Sequence, residues 1–208
     1  MKVLLLNGSP HQHGTTDAAL NVVGEALHGE GVDTQLIWLG NQPLRDCVGC
    51  HSCAKTDNRC VFDGDVVNEI LATMETCDGL MVGSPVYFAH PSALVQTVLD
   101  RVFFAGGTHL HHKPAAALTV ARRAGNTASL DVLNKYFTIA QMPVVSSVYW
   151  NLAFGRTPEE LPQDGEGLRI LRTLGRNMAW MLKNIEAGKA AGVALPAPLP
   201  PAQTNFIR

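Results

Sequence analysis

The chain of 208 residues predicts an α/β fold, a doubly wound parallel sheet of five strands in the order 2-1-3-4-5. Three observations carry this. Short apolar runs alternate with segments of helical periodicity. The first, third and fourth apolar runs each stop abruptly in a loop containing glycine. The sequence holds no internal repeat of the kind that marks a solenoid or propeller. Right-handed crossovers then put helices one and five on one face and helices two, three and four on the other. Ligands in such sheets lie beyond the C-terminal strand ends, beside strand one, so the loops leaving strands one, three and four converge on one crevice.

Each element has a local reason. Val3 to Leu6 is the first buried run, and Asn7-Gly8 ends it. Leu20, Val23, Ala26 and Leu27 share one face of a helix over Ala18 to Leu27, which His28-Gly29 and Gly31 terminate. Val32 to Leu39 is the second strand, and Gly40 to Gly64 a long polar, cysteine-rich connection. Asp65 to Cys77 is a helix with Asp63 or Asp65 as its cap. Gly79 to Val82 is the third strand, broken by Gly83-Ser84-Pro85, and Pro91 to Phe104 the third helix. Ala115 to Val120, Asn126 to Ala140 and Pro143 to Val148 are strand, helix and strand, with Asn126 or Thr127 as cap. Gly167 to Ile185 is the last helix. Residues 1–186 thus form one domain, and residues 187–208 a tail in which Gly188, Gly192 and four prolines argue against helix.

A hydrophobic content of 46% in a chain of this length supports one substantial core. A net charge of −2 gives no basic footprint for nucleic acid. The first apolar run is too short for a signal peptide or a membrane span. The expectation is a cytoplasmic protein with neither nucleic acid nor membrane as partner. Five cysteines, four of them crowded between Cys47 and Cys60, favour metal or redox chemistry in a reducing compartment over a disulfide scaffold.

The loop N-G-S-P-H-Q-H-G-T-T, residues 7–16, lies between the first strand and the first helix. It is a ready anion site, because loop and helix N-terminus present unpaired N–H groups while Ser9, Thr15 and Thr16 add hydroxyls. It is not a triphosphate loop, since Gly14 is followed by Thr15-Thr16 with no lysine, and G-x-G-x-x-G is absent too. No lysine or arginine lies between Val3 and Thr34, so only N–H groups, hydroxyls and His11 or His13 face the anion, which suits a phosphate monoester. The plainer reading of the loop is an ordinary strand-to-helix turn.

After the third strand comes G-S-P-V-Y-F-A-H-P, an apolar, aromatic loop between two prolines, able to hold a planar heteroaromatic ring. Arg122 and Arg123 bring positive charge to the same edge after the fourth strand. Taken singly, Tyr87 and Phe88 read equally as core and the arginines as a solvated loop. Cys47-x2-Cys50-x2-Cys53-x6-Cys60 places three thiols at a spacing that can wrap a compact cluster, with a fourth close behind. A four-thiolate zinc site, bare thiols and a disulfide are the other readings. Cys77 ends an apolar helix and reads as core, and His109, His111 and His112 read as a solvated loop before a metal site.

Together N-G-S-P-H-Q-H-G-T-T, C-V-G-C-H-S-C with Cys60 downstream, G-S-P-V-Y-F and the helix ending L-D-R resemble the flavodoxin-like NAD(P)H-dependent FMN reductases, in particular their iron–sulfur flavoprotein branch. The resemblance covers residues 1–123 by motif and the rest by topology. It implies FMN, with its phosphate on Ser9, His11, Thr15 and Thr16 and its ring on Pro85, Val86, Tyr87 and Phe88, and Arg122 beside it. It also implies NAD(P)H as hydride donor and a quinone, a flavin or an electron carrier as acceptor. A [4Fe–4S] cluster on Cys47, Cys50, Cys53 and Cys60 matches the branch's cysteine spacing, although relatives carry a similar loop without one. The branch further implies a homodimer or homotetramer in which a second subunit walls the flavin. The rival function is an iron–sulfur flavoprotein electron carrier that is not itself nicotinamide-dependent. No general acid or base stands out.

Overall fold

The computed structural model describes residues 1–200, 204 and 206. Its strands are β1 (Lys2–Asn7), β2 (Asp33–Trp38), β3 (Gly79–Tyr87), β4 (His90–Pro91), β5 (Ala115–Ala121) and β6 (Leu152–Phe154). Its α-helices are α1 (Thr15–Gly29), α2 (Val66–Glu75), α3 (Ala93–Gly106), α4 (Asn126–Ile139) and α5 (Gly165–Ala190). The sheet runs β2-β1-β3-β5-β6, all parallel, which is the expected five-strand order. The two-residue β4 is an addition, pairing antiparallel with the end of β3.

The two faces of the sheet are covered as the handedness rule requires. Val3, Leu5 and Met81 pack under α1 and α5 through Leu20, Val23, Leu171 and Met178. Leu4, Leu6, Leu80 and Val82 pack on the other face under α2, α3 and α4 through Ile70, Val98, Leu99 and Leu133. Alternate residues of β1 and β3 thus feed both layers, which is why these strands read as unbroken apolar runs.

Four boundaries depart from expectation. Helix α1 starts at Thr15 and not at Ala18, with Gly14 as a cap lacking any side-chain bond, so both threonines lie in its first turn. Strand β3 passes through Gly83-Ser84-Pro85. Gly83 accepts from Gly8 N–H on the β1 side at 2.9 Å, and the alternation of a parallel strand turns Pro85 to that same side, beyond the end of β1, where a missing N–H costs no ladder bond. The fifth strand is Leu152–Phe154 and not Pro143 to Val148, of which only Val144 bridges to Ala115. An edge strand has one neighbour, so the chain can leave the sheet after Val145 and rejoin it at Leu152, with few ladder bonds lost. Helix α5 continues through Gly188 to Ala190, and Gly192, at φ +80°, turns the chain out of it. The tail therefore departs about five residues later than expected. Residues 191–200 are exposed, and the rest of the expected tail lies largely outside the described residues.

Caps follow short polar side chains where these are present. Asp65 accepts from Val67 N–H at 3.1 Å, as expected for α2, and Ser92 from Val95 N–H for α3. Helix α4 is capped by Gly125 and not by Asn126 or Thr127. No helix among the described residues is long and apolar enough to cross a membrane.

Candidate functional site

The loop after β1 is held by its own hydrogen bonds. Asn7 is buried, and its Nδ2 donates to Gln12 O at 3.0 Å while its Oδ1 accepts from Ser9 N–H at 3.0 Å. Ser9 Oγ accepts from His11 N–H at 3.1 Å, and Trp38 Nε1 on β2 donates to Ser9 O at 2.8 Å. Gly8 lies against α3, where a Cβ would stand 1.8 Å from Val95 Cγ2, so no side chain fits. The first-turn N–H groups of α1 have no intrahelical acceptor. Thr15 and Thr16 are largely buried, yet their hydroxyls make no hydrogen bond among the described residues and are not buried unpaired atoms, so they are left to face the cleft. Unspent N–H and O–H donors therefore converge at a positive helix end, as an anion requires.

These donors open into a cleft of about 360 Å³. Ser9, His11, Thr15 and Thr16 line it with Pro85, Val86 and Tyr87 from the end of β3 and Arg122 after β5, so the structure gathers the expected residues with one exception. Phe88 is the exception, since it stands wholly in solvent at the tip of a hairpin. Sequence reading missed a fourth wall, Gly155, Arg156, Thr157 and Pro158. Gly155 N–H donates to Ala121 O at 3.1 Å, which seats this loop beside β5. The G-R-T-P turn after an apolar run was the available signal, hidden by placing the fifth strand too early. Arg156 supplies a cation that the loop after β1 lacks.

The loop after β3 is a two-residue β-hairpin turn rather than a stiff open loop. Tyr87 pairs with His90, and the central residues Phe88 and Ala89 take φ of +51° and +61°. That turn favours Asn and Gly, so Phe and Ala here store strain of about 1–3 kcal/mol each. Next to it a second cleft of about 350 Å³ is lined by Gly125, Asn126, Tyr149, Trp150 and Phe154.

Cys47, Cys50, Cys53 and Cys60 line one small pocket, together with Phe62, Arg101 and Phe104. As the loop stands this pocket encloses about 20 Å³, and among the described residues no three His, Cys, Asp or Glu side chains gather closely enough to hold a metal ion. All four thiols are free, so the disulfide reading is not realised. The chemistry of the donor set fits a sulfur-ligated centre. Arg101 Nε and Nη2 both reach Cys60 Sγ at 3.5 Å, and the N–H and hydroxyl of Ser52 hold the exposed Cys50 thiol below its ordinary pKa. Cys60 is also pinned through its backbone, which exchanges bonds of 2.9 and 3.0 Å with Asn68. Cys77 is buried away from this loop, as expected. His109 pairs with Asp57 at 3.0 Å at the surface, and the histidine group forms no metal site among the described residues.

The sequence profile of the NADPH-dependent FMN reductase family matches residues 1–157. An iron–sulfur flavoprotein of Methanocaldococcus jannaschii is 32% identical over 89% of this chain and its own whole length. Among solved structures, an archaeal flavodoxin covers 88% of this chain, and 99% of its own is covered, at TM-score 0.60 and 14% identity. An NADH:FMN oxidoreductase covers 86%, and 88% of its own is covered, at TM-score 0.63 and 16% identity. The sheet order and the cleft at its switch point, with these matches, define a flavodoxin-like protein that binds FMN, an oxidoreductase or electron carrier. The chain belongs to the NADPH-dependent FMN reductase family, in its iron–sulfur flavoprotein branch.

Proposed function

We propose that the protein is an FMN-dependent NAD(P)H oxidoreductase that passes electrons on to a quinone, a flavin or another electron carrier. The observation that carries the reading is the cleft in which a donor-rich helix end, the Pro85–Tyr87 edge and two arginine-bearing loops face one another. FMN, when bound, supplies a ring that takes electrons in pairs or singly.

The residues divide the work. Ser9, Thr15 and Thr16, with the first-turn N–H groups of α1, bind the phosphate, and Arg156 neutralises it. Each bond to a charged phosphate oxygen is worth about 1.5–3 kcal/mol. Pro85, Val86 and Tyr87 would offer main-chain groups and a flat edge to the ring, and Arg122, which lines the same cleft, would supply positive charge beside it. The neighbouring cleft, with Tyr149 and Trp150, offers aromatic faces for a nicotinamide or an acceptor. A second copy of the chain closes the open side, as the exposed Tyr87, Phe88, Tyr149 and Trp150 on this rim suggest.

A second reading is favoured by the buried guanidinium on Cys60. The four cysteines would hold a [4Fe–4S] cluster, which supplies one-electron storage, and the protein would then be a carrier fed by another reductase. Anaerobic addition of NADPH or NADH to the FMN-loaded protein separates the two. Bleaching of the flavin absorbance within seconds supports the oxidoreductase. Bleaching by dithionite alone supports the carrier.

A further inference from the structure

The most deeply buried charge among the described residues is Arg101, 1% exposed on the apolar face of α3 between Val98 and Val102. A guanidinium has five N–H donors, and all five are used. Nε and one Nη2 hydrogen go to Cys60 Sγ, at 3.5 Å each. The second Nη2 hydrogen goes to Phe62 O at 2.8 Å. Nη1 donates to Arg45 O at 3.2 Å and to the carboxylate of Asp65. One side chain thus ties the start of the cysteine loop, its last cysteine and the cap of α2 to the core.

Loop stapling alone does not account for the arrangement. Burying a cation costs several kcal/mol before pairing. Asp65 offsets that cost by pairing with Nη1, yet two further donors of the fork point at one sulfur. A neutral thiol accepts weakly, whereas sulfur carrying negative charge, free or on a metal, accepts strongly.

We propose that Arg101 is the positioning residue of the cysteine centre: it fixes Cys60 as the anchoring ligand and holds the reduction potential of a bound four-iron cluster above the value the four cysteines alone would give. This rests on the cluster reading of Cys47, Cys50, Cys53 and Cys60. The couple concerned takes up one electron and no proton, so its reduced form is more negative by one charge. Donors and positive charge at a ligand sulfur favour that form.

The test is an EPR-monitored redox titration, with dithionite and mediators, of anaerobically reconstituted holoprotein, alongside iron and sulfide assays. Arg101→Gln keeps two N–H donors and loses the charge. It should lower the reduced-to-oxidised ratio at the wild-type midpoint at least tenfold, a downward shift of about 59 mV. Arg101→Lys keeps the charge without the fork and should fall between the two. Asp65→Asn keeps the α2 cap but removes the opposing charge, and should shift the midpoint upward. A purely structural role for Arg101 would not produce shifts of opposite sign. Full cluster content in Arg101→Gln with an unmoved midpoint overturns the proposal. If Arg101→Gln does not fold or load, Asp65→Asn decides, and an unmoved or lowered midpoint there overturns it. Wild-type protein that takes up no iron or sulfide overturns both this proposal and the cluster reading, and leaves the FMN site standing.

Discussion

Gly125 and Ala89 meet backbone to backbone: a Cβ added to Gly125 would stand 2.9 Å from Ala89 Cα. The same atom would press on Val86 Cγ1 at 2.9 Å, and Gly125 has φ +93°. The cap of α4 therefore holds the strained hairpin that edges the cleft proposed for FMN.

Gly125→Ala should accordingly cost about 1–3 kcal/mol and weaken FMN binding, because it both clashes and forces a left-handed alanine. Ala89→Gly should do the opposite to stability, by up to about 1 kcal/mol, since glycine takes φ +61° freely. Chemical denaturation of the two apoproteins checks both signs. An unchanged midpoint in Gly125→Ala refutes the contact.

Ser9→Ala with Thr16→Ala should weaken FMN binding at least tenfold, since two hydroxyl donors at the helix end are lost together. Flavin fluorescence titration measures it. Equal affinity in wild type and double variant would remove the phosphate from this loop.

Arg156→Ala should weaken FMN severalfold and flatten the dependence of affinity on salt, because the guanidinium is exposed and screened. Riboflavin, which lacks the phosphate, should bind wild type and variant alike. A matched loss for both ligands would place Arg156 at the ring instead.

Burial pushes the Cys77 thiol above its ordinary pKa, against the nearby Lys2 and Lys113. As pH rises through the ordinary thiol value the unfolded chain releases this proton and the fold keeps it. The unfolded state then binds fewer protons, so stability falls as the solution becomes more alkaline. Cys77→Ala should be less stable near neutrality but lose less on going to alkaline pH. Urea midpoints of both proteins across that range decide it, and parallel curves count against the assignment.

The FMN-loaded protein should sediment at micromolar concentration as a dimer or larger, and Phe88→Ser with Trp150→Ser should shift it towards monomer. Wild type running as a monomer with full flavin occupancy would contradict the second-subunit wall.

Sheet order, layer assignment and the place of the donor-rich loop after β1 were legible because they rest on buried runs such as Leu4 to Leu6 and on a glycine loop at a fixed strand end. The edge was not. Pro143 to Val148 has strand composition, yet only Val144 pairs, because nothing on the outer side compels the rest to. That misplacement also hid Arg156. Thr15 and Thr16 read as the end of the loop because the apolar periodicity starts only with Leu20, whereas the helix opens one turn earlier behind a glycine cap. Arg101 fell on an apolar helix face between Val98 and Val102, and a lone arginine there was the overlooked sign of a buried acceptor.

The bond from Trp38 to Ser9 gives the protein an optical gauge. This indole is held on β2, shielded more than Trp150 and Trp180, which are 59% and 64% exposed, and its nitrogen is fixed to a residue lining the cleft. A flavin in that cleft would lie within a few residues of it and drain its emission, whereas the exposed Trp180 on α5 reports mainly on solvent. Emission resolved by wavelength would therefore separate cofactor loading from the solvent-exposed background in one unlabelled sample.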